Sequence, residues 1–188
     1  MAMPALLPRY TVDHLDELPE YPGVRYELLD GLLLVSPAPS SVHAVITSRL
    51  ISVLSNGISE EHAFVAAPGE IRLEPFTSLV PDALVYPAKY GLGVPWKDIG
   101  EWLLAVEVVS PSSAVYDRDY KRRAYSALGV GEYWVVDPMQ RAIEVSHAGD
   151  GQPRIERRAV RYRAPGSARE LQVDVPQVFS GVRGLIRV

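Results

Sequence analysis

The chain has 188 residues, a formal net charge of −4, no cysteine and 47% apolar residues. This composition is typical of a soluble globular protein, and we expect one domain over residues 1–188. The lack of cysteine excludes disulfides and thiolate metal sites. The negative net charge excludes a protein that binds nucleic acid through its overall charge. A nucleic-acid partner would therefore have to be held by local basic patches or by metal ions.

No apolar stretch reaches the roughly 20 residues needed to cross a bilayer, and the first residues do not form a secretory signal. We therefore expect a cytoplasmic protein with no membrane partner. Asn56 is the only asparagine, and prolines number 16. Few thermolabile amides favour a thermophilic source, although high genomic GC content produces the same bias.

The first third of the chain predicts two helices and a hairpin. Residues 11–18 predict a short helix. Residues 24–29 and 32–36 flank Asp30-Gly31 and predict a β-hairpin, because both turn positions need positive φ. Apolar residues at helical spacing predict a long helix over residues 40–56.

The middle of the chain predicts strands. A nearly continuous apolar run at 102–109 is typical of a central strand that is covered on both faces. It follows a loop rich in glycine and proline at 87–100. The strand-like segments before that loop are 62–67, 70–74 and 80–86.

The last third predicts a helix over residues 117–128, a strand over 132–136 and a C-terminal β meander from about residue 141. The strands of the meander are expected at 142–147, 154–162 and 170–175. Helices between central strands, with antiparallel hairpins at both ends, predict an α/β (α+β) fold built on a mixed sheet.

Two carboxylates stand in apolar segments that predict buried strands. Glu107 lies near the carboxyl end of 102–109, and Asp82 follows Pro81 within 80–86. A buried ionised carboxylate is costly unless it is paired or binds a metal, so a structural ion pair for Glu107 and a strand-edge turn for Asp82 remain open. Together the two could share one hard divalent cation, which prefers oxygen ligands.

Lys121 is the third candidate, on the helix that follows Glu107. Asp117 and Lys121 are spaced i,i+4, which is also the spacing of a common surface ion pair. Beside a metal site, the ammonium could orient an attacking water and stabilise charge on a pentavalent phosphate. The three residues therefore predict a metal-dependent phosphodiesterase site.

Several blocks of the sequence carry a family resemblance. They are residues 26–31, Ser36-Pro37 with His43, Pro81-Asp82, residues 106–112, Asp119 with Lys121 and Tyr125, and residues 129–138. These blocks resemble the PD-(D/E)XK nuclease superfamily and, within it, the Uma-two family of endonucleases. The resemblance implies a restriction-endonuclease-like fold, endonuclease activity on DNA, and Mg²⁺ or Mn²⁺ as the cofactor.

The same resemblance implies that Asp82 and Glu107 are metal ligands, with the main-chain carbonyl of Val108 as a third. The superfamily motif has its lysine two residues after the acidic residue, where this chain has Val109. The Uma-two pattern points to Lys121 instead.

Glu27 and His43 are secondary candidates. Glu27 could be an extra ligand or hold a water, or it could be an outward strand residue paired with Arg25 or Arg49. His43 could be a ligand, or simply a residue at a helix start.

Two groups of arginines could contact phosphates, although an ordinary solvated face is the alternative for each. One group, Arg118, Arg122 and Arg123, flanks Lys121. The second group lies in the predicted C-terminal strands and comprises Arg154, Arg157, Arg158, Arg161 and Arg163. Tyr133 and Trp134 are expected in the core rather than as base-stacking platforms.

We favour a metal-dependent DNA endonuclease. The displaced lysine and the acidic charge motivate an alternative, a catalytically inactive nucleic-acid-binding or homo-oligomeric module that kept the nuclease fold. A homodimer is expected. The C-terminal apolar residues that could form a subunit contact, or close the chain's own core, are Val178, Phe179, Val182, Leu185, Ile186 and Val188.

Overall fold

The computed structural model describes residues 9–111 and 113–182. Its helices are α1 (Val12–Asp16), α2 (Ser41–Gly57), α3 (Arg122–Ala127) and α4 (Val175–Val178). A π-helical segment, Tyr116–Lys121, runs directly into α3. The strands are β1 (Val24–Leu29), β2 (Leu32–Pro37), β3 (Ala63–Ala66), β4 (Ile71–Leu73), β5 (Thr77–Leu79), β6 (Ala83–Pro87), β7 (Leu104–Val108), β8 (Glu132–Asp137), β9 (Ala142–His147), β10 (Arg154–Glu156), β11 (Ala159–Tyr162) and β12 (Leu171–Asp174). In this part of the chain, no helix combines the length and apolarity needed to cross a membrane.

A six-stranded mixed sheet carries the fold, in the order β10-β9-β8-β7-β6-β3. Its central strands β7 and β8 are parallel, and the π-helical segment and α3 connect them. The other neighbours in the sheet are antiparallel. This is the mixed α/β arrangement that the sequence predicted.

The hairpin of β1 and β2 forms as predicted, with Leu29 opposite Leu32. Asp30 and Gly31 have φ values of 51° and 82°, as a two-residue turn of this kind requires. β1 also pairs with β5 in a second sheet of order β2-β1-β5-β4. The hairpin is thereby held beside the central sheet, and its strands form one wall of the cavity described below.

Two apolar clusters form the core of the described chain. Ile46, Leu50 and Leu54 recur every four residues on α2 and are buried in the first cluster, which also contains Trp134. Tyr125 of α3 is buried in the second cluster. All five residues of β7 are buried, as the continuous apolar run predicted.

The expected C-terminal meander is wrong beyond β10. Residues 154–162 form two strands rather than one: β10 pairs with β9, whereas β11 pairs with β12 in a separate two-stranded sheet. Val178 and Phe179 are buried in the first cluster, with Val182 packed against it, so these three close the chain's own core. Leu185, Ile186 and Val188 lie outside the described residues.

Candidate active site

The register of β6 and β7 brings the two candidate carboxylates together. Ala83 lies opposite Val106 in the antiparallel pair, so Asp82, one residue earlier, lies beside Glu107, one residue later. Opposed Cα atoms of such strands are about 5 Å apart. The Val108 N–H donates a 2.8 Å hydrogen bond to Asp82 Oδ2. Two acids that are 25 residues apart in the sequence therefore meet at one edge of the sheet.

Glu107 is 3% exposed and accepts two hydrogen bonds through Oε1. Lys121 Nζ donates one at 2.8 Å, and the Tyr125 hydroxyl donates the other at 2.9 Å. Burial raises the pKa of the Glu107 carboxyl well above its ordinary value, and the charge of Lys121 opposes this shift. The Glu107 carboxyl is therefore more readily protonated than an ordinary glutamate, even with Lys121 beside it.

Lys121 is buried among three carboxylates. Its ammonium donates to Glu27 Oε1 and Oε2 at 2.9 and 3.0 Å and lies 3.7 Å from Asp117 Oδ1. Burial acts to lower the pKa of Lys121, but Glu107, Glu27 and Asp117 together raise it above its ordinary value. The lysine is therefore a permanent cation, and its pairing with Asp117 is a buried contact rather than a surface one.

Glu27 joins the cluster from β1. It is 2% exposed, and its Oε1 also accepts the Val80 N–H at 2.8 Å. The outward orientation considered for it is wrong, because its direct partner is Lys121. Arg25 and Arg49 make their hydrogen bonds to other groups.

Asp82 is surrounded by hydrogen-bond donors. His43 Nε2 lies 2.9 Å from Asp82 Oδ2, and Arg25 Nη1 lies 3.3 Å from Oδ1. Burial acts to raise the pKa of Asp82, but His43, the Val108 N–H and Arg25 together hold it below its ordinary value. His43 follows Ser40, the residue that caps α2. It is thus both a helix-start residue and a member of the site.

Asp117 lines the same cavity, although sequence reasoning did not include it among the candidates. It is 3% exposed, and burial raises the pKa of its carboxyl. Its four-residue spacing from Lys121 was the signal that could have found it. Asp119, which belongs to the resembling blocks, has an exposed side chain.

These groups line one cavity of about 520 Å³. The carboxylates of Glu27, Asp82, Glu107 and Asp117 all face it, together with the cationic side chains of Lys121 and Arg25 and the imidazole of His43. By formal charge, these four carboxylates outnumber the two cations, Lys121 and Arg25, by two. The cavity therefore attracts positive charge.

Comparison with known proteins identifies the family. A family model named Uma2, described as "Putative restriction endonuclease", matches residues 12–183. The chain belongs to the Uma2 family. A crystal structure described as "a putative nuclease belonging to DUF820 from Anabaena variabilis ATCC 29413" has a TM-score of 0.74 and 20% sequence identity, over 90% of this chain and 97% of that one. No curated protein matches the chain.

The match to that structure shows that this Uma2 protein has a restriction-endonuclease-like fold, as the sequence predicted. Its cavity suits a hard divalent ion in the type of its donors, which are carboxylate oxygens, and in its surplus of negative charge. Among residues 9–111 and 113–182, no three His, Asp or Glu side chains form a ready-made metal cage. An ion would therefore need two carboxylates, a main-chain carbonyl and waters.

Of the three arginines beside Lys121 in this Uma2 protein, Arg118 is held by acids, Arg122 has a hydrogen bond to a neutral carbonyl, and Arg123 is exposed. Arg118 binds Asp137, and its Nε donates to Glu144 at 2.7 Å. Arg122 Nε donates to the Arg118 carbonyl at 3.0 Å. Because Arg118 is held by two acids, it stabilises the helix against the sheet and is not available to a phosphate.

Proposed function

We propose that this chain is a metal-dependent endonuclease that hydrolyses DNA phosphodiester bonds. Asp82 and Glu107 would hold Mg²⁺ or Mn²⁺, with the main-chain carbonyl of Val108 as a third ligand. Lys121 would assist the attack of water. The membership of the Uma2 family and the restriction-endonuclease-like fold support a nucleic acid as the substrate.

The observation that carries the proposal is the position of the lysine in space. The superfamily motif places a lysine two residues after the acid, and this chain has Val109 there. The π-helical segment instead brings Lys121 Nζ to 2.8 Å from Glu107 Oε1. Asp82 lies beside Glu107 across the β6–β7 pair. Two acids and one amine are thus assembled without the usual sequence spacing.

The state of Lys121 decides its role. A lysine whose pKa is raised by three carboxylates keeps its proton, so it does not act as a general base. Its ammonium can donate a hydrogen bond to a water and stabilise negative charge that develops on a phosphate. The carboxylates of Glu27 and Glu107, which bind this ammonium, would be the acceptors for the proton that the water loses.

The proposed reaction is an ordinary hydrolysis. The oxygen of water bonds to phosphorus, the bond from phosphorus to one ester oxygen breaks, and that oxygen gains a proton. A divalent ion would polarise the phosphoryl oxygen and lower the pKa of its bound water. The residues of the chain hold the ion, orient the water and exclude bulk solvent from a site whose acids are almost fully buried.

Nuclease assays with Mg²⁺ and with Mn²⁺ test this proposal. We expect Glu107→Gln and Asp82→Asn to reduce cleavage of linear and supercoiled DNA to background, because each removes an anionic ligand while keeping the size of the side chain. Ser126→Ala, at an exposed position of α3, is the control and should cleave like the wild type. Circular dichroism checks that all three variants fold. A wild type that cleaves no nucleic acid with either metal would refute the proposal.

One observation favours the alternative, a catalytically inactive DNA-binding module. Glu107 is held in an ion pair with Lys121 and by Tyr125, so its Oε1 already has two donors. If the site is purely structural, DNA binding will be independent of metal and unaffected by Glu107→Gln, and no cleavage will be seen. Cleavage that requires metal would exclude this alternative.

A further inference from the structure

A second charged surface lies outside the cavity. Six arginines occur within residues 154–169. The same stretch contains one acid, Glu156, and a second acid, Glu170, follows it directly. All six are exposed. We call Arg154, Arg157, Arg158, Arg161, Arg163 and Arg169 the arginine surface. It carries a surplus of four positive charges in a chain whose formal net charge is −4.

Five of the six arginines of this surface are weakly paired or have no acid nearby in the described chain, whereas Arg154 Nε lies 2.7 Å from Glu156 Oε1. Arg161 and Arg163 share Glu170 at 3.9 and 3.7 Å, and their side chains are 70% and 57% exposed. Within the described part of the chain, no acid lies within 4.0 Å of the guanidinium of Arg157, Arg158 or Arg169. Exposed ion pairs of this kind contribute about 0–1 kcal/mol to stability. Ion pairing therefore adds little to stability here, and the guanidinium groups remain accessible from solvent.

Helix α2 reaches from the cavity to the β11–β12 hairpin, which carries Arg161. At its amino end, His43 contacts Asp82. At its carboxyl end, Gly57 packs so closely against Leu171 of β12 that an added Cβ would lie 2.4 Å from the leucine side chain. The helix rises about 1.5 Å per residue, so its contact with the β11–β12 hairpin lies roughly 20 Å from the cavity.

A duplex of ordinary length can extend over a distance of this size. One strand of a duplex presents a phosphate every 3.4 Å or so along the axis, hence about six base pairs span the separation. A surface of exposed arginines attracts such a row of phosphates regardless of base sequence. The negative charge of the cavity, by contrast, does not favour a polyanion, so a separate attractive surface is needed to hold the substrate.

We infer that the arginine surface binds the phosphate backbone of duplex DNA outside the cavity and so supplies most of the affinity that is independent of sequence. The inference rests on the proposed function only in taking DNA as the substrate. It requires no catalysis, because binding at this surface does not involve the acids of the cavity.

Fluorescence anisotropy with a labelled duplex of about 30 base pairs, in EDTA and over about 50 to 200 mM NaCl, tests the inference. We expect Arg157→Gln with Arg158→Gln to weaken binding several-fold. The slope of log affinity against log salt should become less steep by about one to two units, because each lost phosphate contact removes about 0.9. Arg157→Lys with Arg158→Lys keeps both charges and should bind like the wild type.

The matched control is Lys89→Gln with Lys97→Gln, which removes two exposed cations between β6 and β7. It should leave the salt slope almost unchanged. Equal effects of the two glutamine pairs would overturn the inference. So would loss of binding to phosphatidylserine vesicles, rather than to DNA, in the arginine variant.

The two proposals fail separately. If the wild type cleaves DNA with metal but the arginine variant binds DNA like the control, only the arginine surface is refuted. If no metal supports cleavage but binding depends on Arg157 and Arg158, the surface stands and the proposed nuclease activity falls. In an active enzyme, the arginine variant should raise KM for a duplex of about 30 base pairs and leave kcat unchanged.

Discussion

Lys121 is the residue on which the buried charge cluster depends. Replacement by Met would leave Glu27, Glu107 and Asp117 without their shared cation. Breaking a buried ion pair from one side costs about 3–5 kcal/mol, and we expect Lys121→Met to lower the free energy of unfolding by about that much. Urea denaturation followed by circular dichroism measures it.

The double variant Lys121→Met with Glu107→Gln is the control for this prediction. It removes one of the acids left unpaired, so it should be more stable than Lys121→Met alone. Equal stability of the single and double variants would show that Lys121 is not the counterion of Glu107.

Most of the residues that meet in the candidate site could be predicted from sequence, because a charged residue in an apolar strand is conspicuous. Asp82 and Glu107 stand out in this way, and the family pattern pointed to Lys121. Asp117 escaped because its i,i+4 spacing from Lys121 is equally typical of a surface pair. Only the fold buries both residues, since the helix that carries them packs against the edge of the sheet where Glu107 lies.

Glu132 provides a pH-dependent prediction away from the site. Its side chain is 12% exposed and accepts a 2.7 Å hydrogen bond from Trp134 Nε1. Burial raises its pKa above the ordinary value of 4.5, while Trp134, His147 and Arg154 act in the opposite direction. The folded state thus favours the protonated form of Glu132. The free energy of unfolding therefore falls as the pH rises through the pKa that Glu132 has in the folded state.

We therefore expect Glu132→Gln to be more stable than the wild type at about pH 8, because the amide keeps an acceptor for Trp134 without the buried charge. The difference should shrink as the pH falls towards about 4.5, where the wild-type carboxyl is protonated. Thermal unfolding at several pH values measures this. A stabilisation that does not vary with pH would contradict the assigned cause.

At the scale of elements, the β1–β2 hairpin positions Glu27 and forms one wall of the cavity. Gly31 has a φ of 82°, and a Cβ there would lie 3.0 Å from the Arg9 side chain. We expect Gly31→Ala to cost about 1–2 kcal/mol, because an L side chain is disfavoured in the left-handed region. Chemical denaturation measures the change. Gly151→Ala, where the added Cβ meets nothing within 4 Å, is the control and should be nearly neutral.

The elements that sequence reasoning missed are those with distant partners. β5 has only three residues and pairs with β1 through Leu28 and Ser78, which are 50 positions apart. Residues 154–162 look like one strand locally, and only the pairing of β11 with β12 divides them. The β1–β2 hairpin was predictable because its turn chemistry is local. The π-helical geometry of Tyr116–Lys121 has no such local signal in the sequence.

At the scale of the whole molecule, net charge conceals the arrangement of the charges. The formal value of −4 counts four acids that are buried around the cavity together with the exposed arginines of the late strands. The acids act over a short range within the cavity, whereas exposed arginines act on whatever approaches from solvent. An acidic composition is therefore compatible with a surface that attracts DNA.

The surplus negative charge of the cavity predicts that divalent ions stabilise the folded chain. An ion that binds only the folded state adds about 1.4 kcal/mol when its concentration is ten times the Kd. For a chain of this size, that should raise the Tm by roughly 3–6 °C. Differential scanning calorimetry with Mn²⁺ and with Mg²⁺ measures it, and EDTA should reverse it. Asp82→Asn removes one proposed ligand and should abolish the shift, whereas an equal shift in that variant would place the ion elsewhere.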